Sequence, residues 1–304
     1  VAERLEGVLE EAEEAVEAAI SAVDDLAFDL SLARFALAFD LSRPRFVDRD
    51  VTGAVEARNL LLADAGEDVQ PVTYAVGEHD LAVAGPTQPP DVDRVAVLTG
   101  ARVTVLTGAN SGGKTTLLET LCQVQLLAQM GLPVPASDAE VGVVDTIVFH
   151  RRHASFNAGV LESTLRSVVP PLTGGGRTLM LVDEFEAITE PGRAADLLHG
   201  LVNLTVEKAA TGVFVTHLAD DLEPLPEAAR TDGIFAEGLS PDLELEVDYQ
   251  PRFGTVGRST PEFIVSRLIA NATDRSERAG YETLAGAIGE SAVQRTLADA
   301  RWRG

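Results

Sequence analysis

Thr107-Gly108-Ala109-Asn110-Ser111-Gly112-Gly113-Lys114-Thr115-Thr116 is the stretch on which the reading of this chain turns. It follows the apolar run Arg102-Val103-Thr104-Val105-Leu106-Thr107, the pattern of a short buried strand. A helical pattern follows over 115–130 and stops at Gly131 and Pro133. Residues 108–115 fit G-x-x-x-x-G-K-[ST]. The glycines let the backbone curl so that its amides turn inward on phosphate oxygens. The helix opening at Thr115 adds the positive end of its dipole. In this setting Lys114 is expected to reach the β- and γ-phosphates of a nucleotide, and the Thr115 hydroxyl to ligate Mg²⁺. Gly108, Ala109, Asn110, Ser111, Gly112, Gly113, Lys114, Thr115 and Thr116 are the expected nucleotide-binding residues. A mere glycine-rich turn would leave the lysine without a reason.

Two further strands end in chemistry. Leu179-Met180-Leu181-Val182-Asp183-Glu184 is an apolar strand closing on two acids, 69 residues after Lys114. Asp183 at the carboxyl end would hold Mg²⁺, and Glu184 would act as general base on the attacking water. Val213-Phe214-Val215-Thr216-His217 is a third apolar strand ending in a polar residue. His217 would stand at the same sheet edge and sense the γ-phosphate or position the water. His79, His150, His153 and His199 are read as structural or surface groups, because their spacing builds no zinc site and there is one cysteine. That cysteine, Cys122, falls in an apolar helical run and reads as core, which fits a reducing cytoplasm.

Working outward, Leu5, Leu9, Ala12, Val16, Ala19, Val23, Leu26, Leu30, Ala33 and Leu37 form a heptad stripe, predicting one helix from 1 to about 42, ended by Ser42-Arg43-Pro44. Its stripe calls for a partner helix. Residues 46–100 are strand-like and turn-rich, with a loop expected around 84–93. Strands at 146–149, 178–182 and 212–216 and a helix over 194–210 give an α/β alternation, hence a mainly parallel sheet. Residues 243–249 alternate like an exposed strand, and helices are expected from Pro261 onward. The chain starts on Val1, which suggests a fragment or a processed product, and its acidic helical beginning is not a basic secretory leader. No run of about 18 uncharged apolar residues is present, so no membrane span is expected. The net charge is −24, with 48 acidic residues against 24 basic ones and lysine only at 114 and 208. Such a charge repels nucleic acid in ordinary salt. It also suits a solubility coat for high intracellular salt, as in salt-loving archaea, so it does not exclude a DNA partner.

The phosphate loop with Asn110 and the Gly112-Gly113 pair resembles that of the MutS family of mismatch-repair and recombination proteins. The run Leu126-Leu127-Ala128-Gln129-Met130-Gly131-Leu132-Pro133-Val134-Pro135-Ala136, followed by residues 139–145, is similar to the same family and is more specific than the loop alone. Tyr249, Gly254 and Ser259 stand at the spacing of its last strand and turn. The resemblance covers about residues 20–270 and implies an ABC-type ATPase. Its cofactors would be ATP and Mg²⁺, and each ATP would be sandwiched between two subunits of a homodimer. The family's signature loop falls on Ala154-Ser155-Phe156-Asn157-Ala158-Gly159-Val160-Leu161-Glu162-Ser163-Thr164. Leu161 and Glu162 occupy the usual Ser-Thr positions, and Ser163-Thr164 comes two residues late, so either the loop has shifted or the hydroxyl contact is lost. The segment 185–191 lacks the family's glycines after the acidic pair. Tyr74 stands as a weak candidate to stack on adenine, and Arg151-Arg152-His153 as a solvated turn or a contact to the partner's nucleotide.

The expectation is therefore a P-loop ABC-type α/β fold over 45–260, preceded by a helical lever over 1–44 and followed by a helical segment over 261–304. The expected catalytic residues are Glu184, His217 and Lys114, and the metal ligands Thr115 and Asp183. The expected activity is ATP hydrolysis driving clamp-like motion in a cytoplasmic DNA-binding repair protein. The alternatives are another ABC-type DNA-repair or chromosome-structure ATPase, or an ATP-binding dimerisation switch with little turnover.

Overall fold

The computed structural model describes residues 2–81, 100–108, 112–151, 158–188, 193–218, 221–222, 224–240, 242–257 and 260–302. Its centre is a six-stranded sheet, counted among the described residues. Three of its strands are apolar runs buried at every position: β4 (Val103–Gly108), β7 (Thr178–Asp183) and β8 (Thr211–Val215). With β6 (Thr146–His150), β9 (Ala229–Leu239) and β10 (Leu245–Phe253) they run in the order β10-β9-β4-β8-β7-β6. Every pairing is parallel except β10 with β9.

Continuous burial means that both faces are covered, and period-two alternation divides the side chains between two cores. Val103, Val105, Met180, Val182 and Phe214 point to one face. There they meet α4 (Ala158–Thr173) and α5 (Ala194–Glu207), through Val168, Leu198, Leu201 and Val202. Leu106, Leu179, Leu181, Val213 and Val215 point to the other face, onto Leu117, Leu118 and Leu121 of α3 (Lys114–Gln129).

A second sheet covers the far side of α3. It is formed by β1 (Arg45–Val47), β2 (Val51–Ala57), β3 (Val72–Gly77) and β5 (Asp138–Gly142), in the order β1-β5-β2-β3. A short helix, α2 (Leu60–Asp64), joins β2 to β3, capped by the Asn59 side chain on the amides of Leu61 and Leu62. Ala54, Val124, Ala128, Val134 and Val141 make the small-residue seam between this sheet and α3. Buried Gln125 ties the seam, accepting from Thr52 Oγ1 at 2.7 Å and donating to Gly142 O at 2.8 Å.

The long N-terminal helix α1 spans Ala2–Ala38, slightly shorter than the heptad stripe suggests, and leaves Val16, Leu26 and Leu37 exposed at 58%, 69% and 84%. Its exit is fastened by a reciprocal backbone pair between Ser42 and Val134. The C-terminal helices α6 (Pro261–Asn271), α7 (Arg275–Ile288) and α8 (Glu290–Trp302) pack on one another around Val265, Ile269, Ala285, Val293 and Leu297. The loop expected near 84–93 lies outside the described residues. The strand expected at 243–249 starts at Leu245 and runs to Phe253, because its partner β9 is itself 11 residues long. No described helix is long and apolar enough to cross a membrane.

Candidate active site

Strands β4, β8 and β7 are neighbours, so the segments that follow them emerge side by side at one carboxyl edge, the usual place for a ligand in an open α/β sheet. Gly108 ends β4, while Lys114, Thr115 and Thr116 are the first residues of α3. Asp183 ends β7, and His217 follows β8 by two residues. Ala109, Asn110 and Ser111 lie outside the described residues, so the middle of the expected phosphate loop carries no structural statement.

Both ends of that loop require glycine. Gly113 takes φ of 75° as the residue preceding α3, and a Cβ there would stand 2.8 Å from the Tyr249 ring. Gly108 takes φ of 136°, and a Cβ there would meet Ile234 O at 2.2 Å. At Gly108 the backbone thus passes closer to its neighbour than a Cβ permits, and at Gly113 the left-handed conformation favours glycine. Behind it, Gly257 N–H donates to Thr107 Oγ1 at 2.6 Å.

Several of the side chains named from the sequence lie together here. Thr115 Oγ1 donates to Asp183 Oδ2 at 2.7 Å, bringing the two expected metal ligands together. Lys114 is 5% exposed and its Nζ donates to Gly108 O at 3.0 Å. Burial pushes the Lys114 ammonium below its ordinary pKa, while Glu184, Asp183 and Glu186 pull it back up. His217 Nε2 and Glu184 Oε1 are 2.8 Å apart. Glu184 holds φ of 42°, an uncommon value for a residue with a Cβ. Its N–H is anchored on Val215 O at 3.0 Å, and fully buried Phe185 pins the turn in the core.

Beside these groups opens a cavity of about 690 Å³, bounded by Gly112, Gly113, Thr116, Asn59, Gln70 and Tyr249, with Glu184 at its edge. That volume falls in the range of small-ligand sites.

Tyr74 is not part of the cavity, which corrects its candidacy as an adenine platform. It is 1% exposed, and its hydroxyl meets Asp232 Oδ2 at 2.7 Å and Thr104 Oγ1 at 2.9 Å between the two sheets. Tyr249, 40% exposed and beside Gly113, is the aromatic residue that faces the cavity. Its place at the cavity was hidden in the alternation of β10, where it stood only as a marker of the family's last strand. Sequence reasoning also missed Glu186. The third acid of Asp183-Glu184-Phe185-Glu186 was the available signal.

Of the expected signature loop, residues 154–157 lie outside the described residues. Gly159, Leu161, Glu162, Ser163 and Thr164 are within α4. Ser163, an exposed residue, has its Oγ donating to Val160 O of its own helix at 2.9 Å, while Thr164 is 4% exposed and buried in the core. Arg151 pairs with Glu119 of α3; Arg152 and His153 lie outside the described residues.

The class defined so far is a mixed α/β protein with a mostly parallel sheet and a glycine-cornered cavity at its carboxyl edge. Residues 104–221 match the family model described as MutS domain V. A relative described as DNA-binding protein MutS2 from Pyrococcus furiosus is 44% identical over 75% of this chain. One described as Endonuclease MutS2 from Thermus thermophilus is 31% identical over 79% of it. One described as DNA mismatch repair protein MutS from Granulibacter bethesdensis is 37% identical over 44% of it. Together these matches support the MutS family. The chain spans 38%, 29% and 15% of those three relatives.

Proposed function

We propose that this chain is a MutS-type, ABC-class P-loop ATPase unit that binds ATP with Mg²⁺ and hydrolyses it to ADP and phosphate. One observation carries the reading. Thr115–Asp183 and Glu184–His217 form two short pairs at the carboxyl ends of three consecutive parallel strands, beside a loop with a left-handed glycine at each end. The residues fit the implied ligands. A hydroxyl and a carboxylate 2.7 Å apart are hard oxygen donors of the kind Mg²⁺ takes. A half-exposed tyrosine beside Gly113 offers a flat face to a base.

In this reading Lys114 and the loop amides hold the phosphates, and Thr115 and Asp183 hold the metal. Bound Mg²⁺ supplies positive charge against the charge on the transferring phosphoryl oxygens. Glu184 orients a water and takes its proton, and His217 keeps the Glu184 carboxylate aimed. The unit works as a homodimer closing over its nucleotides, and α1 carries the motion to a DNA-binding region. The names of the relatives, a DNA-binding protein and a DNA mismatch repair protein among them, support the DNA partner. The acidic coat supports a haloarchaeal, cytoplasmic setting. The division into lever, ATPase body and C-terminal helices at about 44 and 260 belongs to the same reading.

Phosphate release in multimolar KCl, for wild type and Glu184→Gln, tests the core of it. Turnover in the wild type and loss on the order of 100-fold or more in the variant is expected. Equal slow release, with ATP still driving dimerisation, favours the second reading, an ATP-gated dimerisation switch. The burial of Thr164 favours that alternative. For the DNA partner, a gel shift at high salt with duplex, branched and mismatched DNA is the measurement. No shift with any of the three removes it.

A further inference from the structure

Glu186 sits in the short turn after Glu184, where it touches a different part of the same neighbour. Its Oε1 accepts from Thr216 Oγ1 at 2.7 Å and from His217 N–H at 2.8 Å. Thr216 is still tied to the sheet, its N–H bonded to Leu106 O at 3.0 Å. Beyond it the chain leaves the sheet. The His217 amide is held by Glu186, and the next amide, Leu218 N–H, by Thr216 Oγ1 at 2.9 Å. Glu186 therefore closes a clamp at the point where β8 stops guiding the backbone. Its own reach is fixed, because buried Phe185 anchors the turn and Ala187 N–H bonds back to Glu184 O at 3.0 Å.

The same turn thus grips His217 twice. Glu184 meets the imidazole at 2.8 Å, and Glu186 meets its main chain at 2.8 Å. The imidazole swings about Cα and Cβ, so the ring position relative to Glu184 is only as defined as the backbone behind it. We propose that Glu186 is a positioning residue, whose carboxylate clamps the Thr216–His217 backbone and thereby sets where the His217 ring meets Glu184. Its role is one of reach, not of charge. The second oxygen, Oε2, is buried and makes no hydrogen bond among the described residues, so an amide in its place breaks no bond.

The kinetic consequence rests on the ATPase reading above; the placement of His217 does not. Glu186→Gln keeps the reach and an accepting oxygen while losing the charge. Glu186→Asp keeps the charge and loses one methylene of reach. Both are measured in the full 304-residue chain, by phosphate release, by ATP affinity, and by the ¹³Cε1–¹H signal of His217 without nucleotide, assigned with His217→Gln. The expected turnover order is wild type, then Gln within about threefold, then Asp lower by on the order of 10- to 100-fold, with ATP affinity the same in all three. The His217 signal is expected to stay in the Gln variant and shift in the Asp variant. Gln falling to or below Asp would make the charge the active feature and overturn the proposal. An unmoved His217 signal in the Asp variant also overturns it. If wild type releases phosphate no faster than Glu184→Gln, the ATPase reading fails, and the His217 signal alone decides the clamp.

Discussion

Asp232 and Asp183 are both buried aspartates on strands of the same sheet, and they are used in opposite ways. Asp232, on β9, is 0% exposed and enclosed by protein donors. Arg230 Nε donates to it at 3.0 Å, Tyr74 OH at 2.7 Å and Gly254 N–H at 3.1 Å, and the Arg230 guanidinium lies over the Phe253 ring at 5.3 Å. It fastens the second sheet to the first behind the phosphate loop. Asp183, on β7, is 3% exposed and stands among like charges, with Glu184 and Glu186 near the same lysine. Thr115 Oγ1 donates to it at 2.7 Å, a hydroxyl that a metal ion would also use. One carboxylate is saturated by the fold and stabilises it; the other is crowded for the sake of a ligand.

The largest expected effect comes from the saturated side. Asp232→Ala takes the carboxylate away from a buried guanidinium and is expected to cost about 3–5 kcal/mol in denaturant unfolding. Asp183→Asn reverses the balance. Phosphate release should fall on the order of 100-fold, while the unfolding free energy changes much less than in Asp232→Ala, since Glu184 and Glu186 remain to face Lys114. A stability loss from Asp183→Asn as large as that from Asp232→Ala would break the comparison. Tyr74→Phe sharpens it, with an expected cost of about 1–3 kcal/mol from the lost donor to Asp232. Tyr74 also gives it a pH signature. Burial, then the Asp232 charge, raise the phenol well above its ordinary 10.0. The unfolded chain therefore releases this proton first, and wild-type stability falls as pH rises past 10.0. Tyr74→Phe should fall less steeply there. Smallest of all, Glu162→Ala breaks an exposed pair with Arg166 on α4 and should move stability by less than about 0.5 kcal/mol.

Much of the site was legible because its logic is local. A buried strand, a glycine turn and a helix start lie within 28 consecutive residues, 103–130. The acids and the histidine each sit at the end of an apolar run. What escaped is what depends on partners far away in the chain. Tyr74 looked like a platform because nothing near it in sequence reveals Asp232, 158 residues on. The second sheet pairs residues 45–47 with 140–142, a register that no local period encodes. Glu186 escaped for a different reason. Beside two acids with an obvious use, a third reads as solvated charge, and only the fold brings Thr216 and the His217 amide to it. The stripe of α1 was readable, yet its exposed Val16, Leu26 and Leu37 find no cover among the described residues.

The order β4-β8-β7 has a consequence beyond placing three segments together. The strands carrying the phosphate loop and the acidic pair are not neighbours; one strand stands between them. Their separation is two interstrand spacings of about 4.8 Å each, set by main-chain hydrogen bonds that are the same for any sequence. The sheet is in this sense a gauge block. Substitutions in the loops can retune which groups line the gap, but its width is machined into the backbone and does not drift with them.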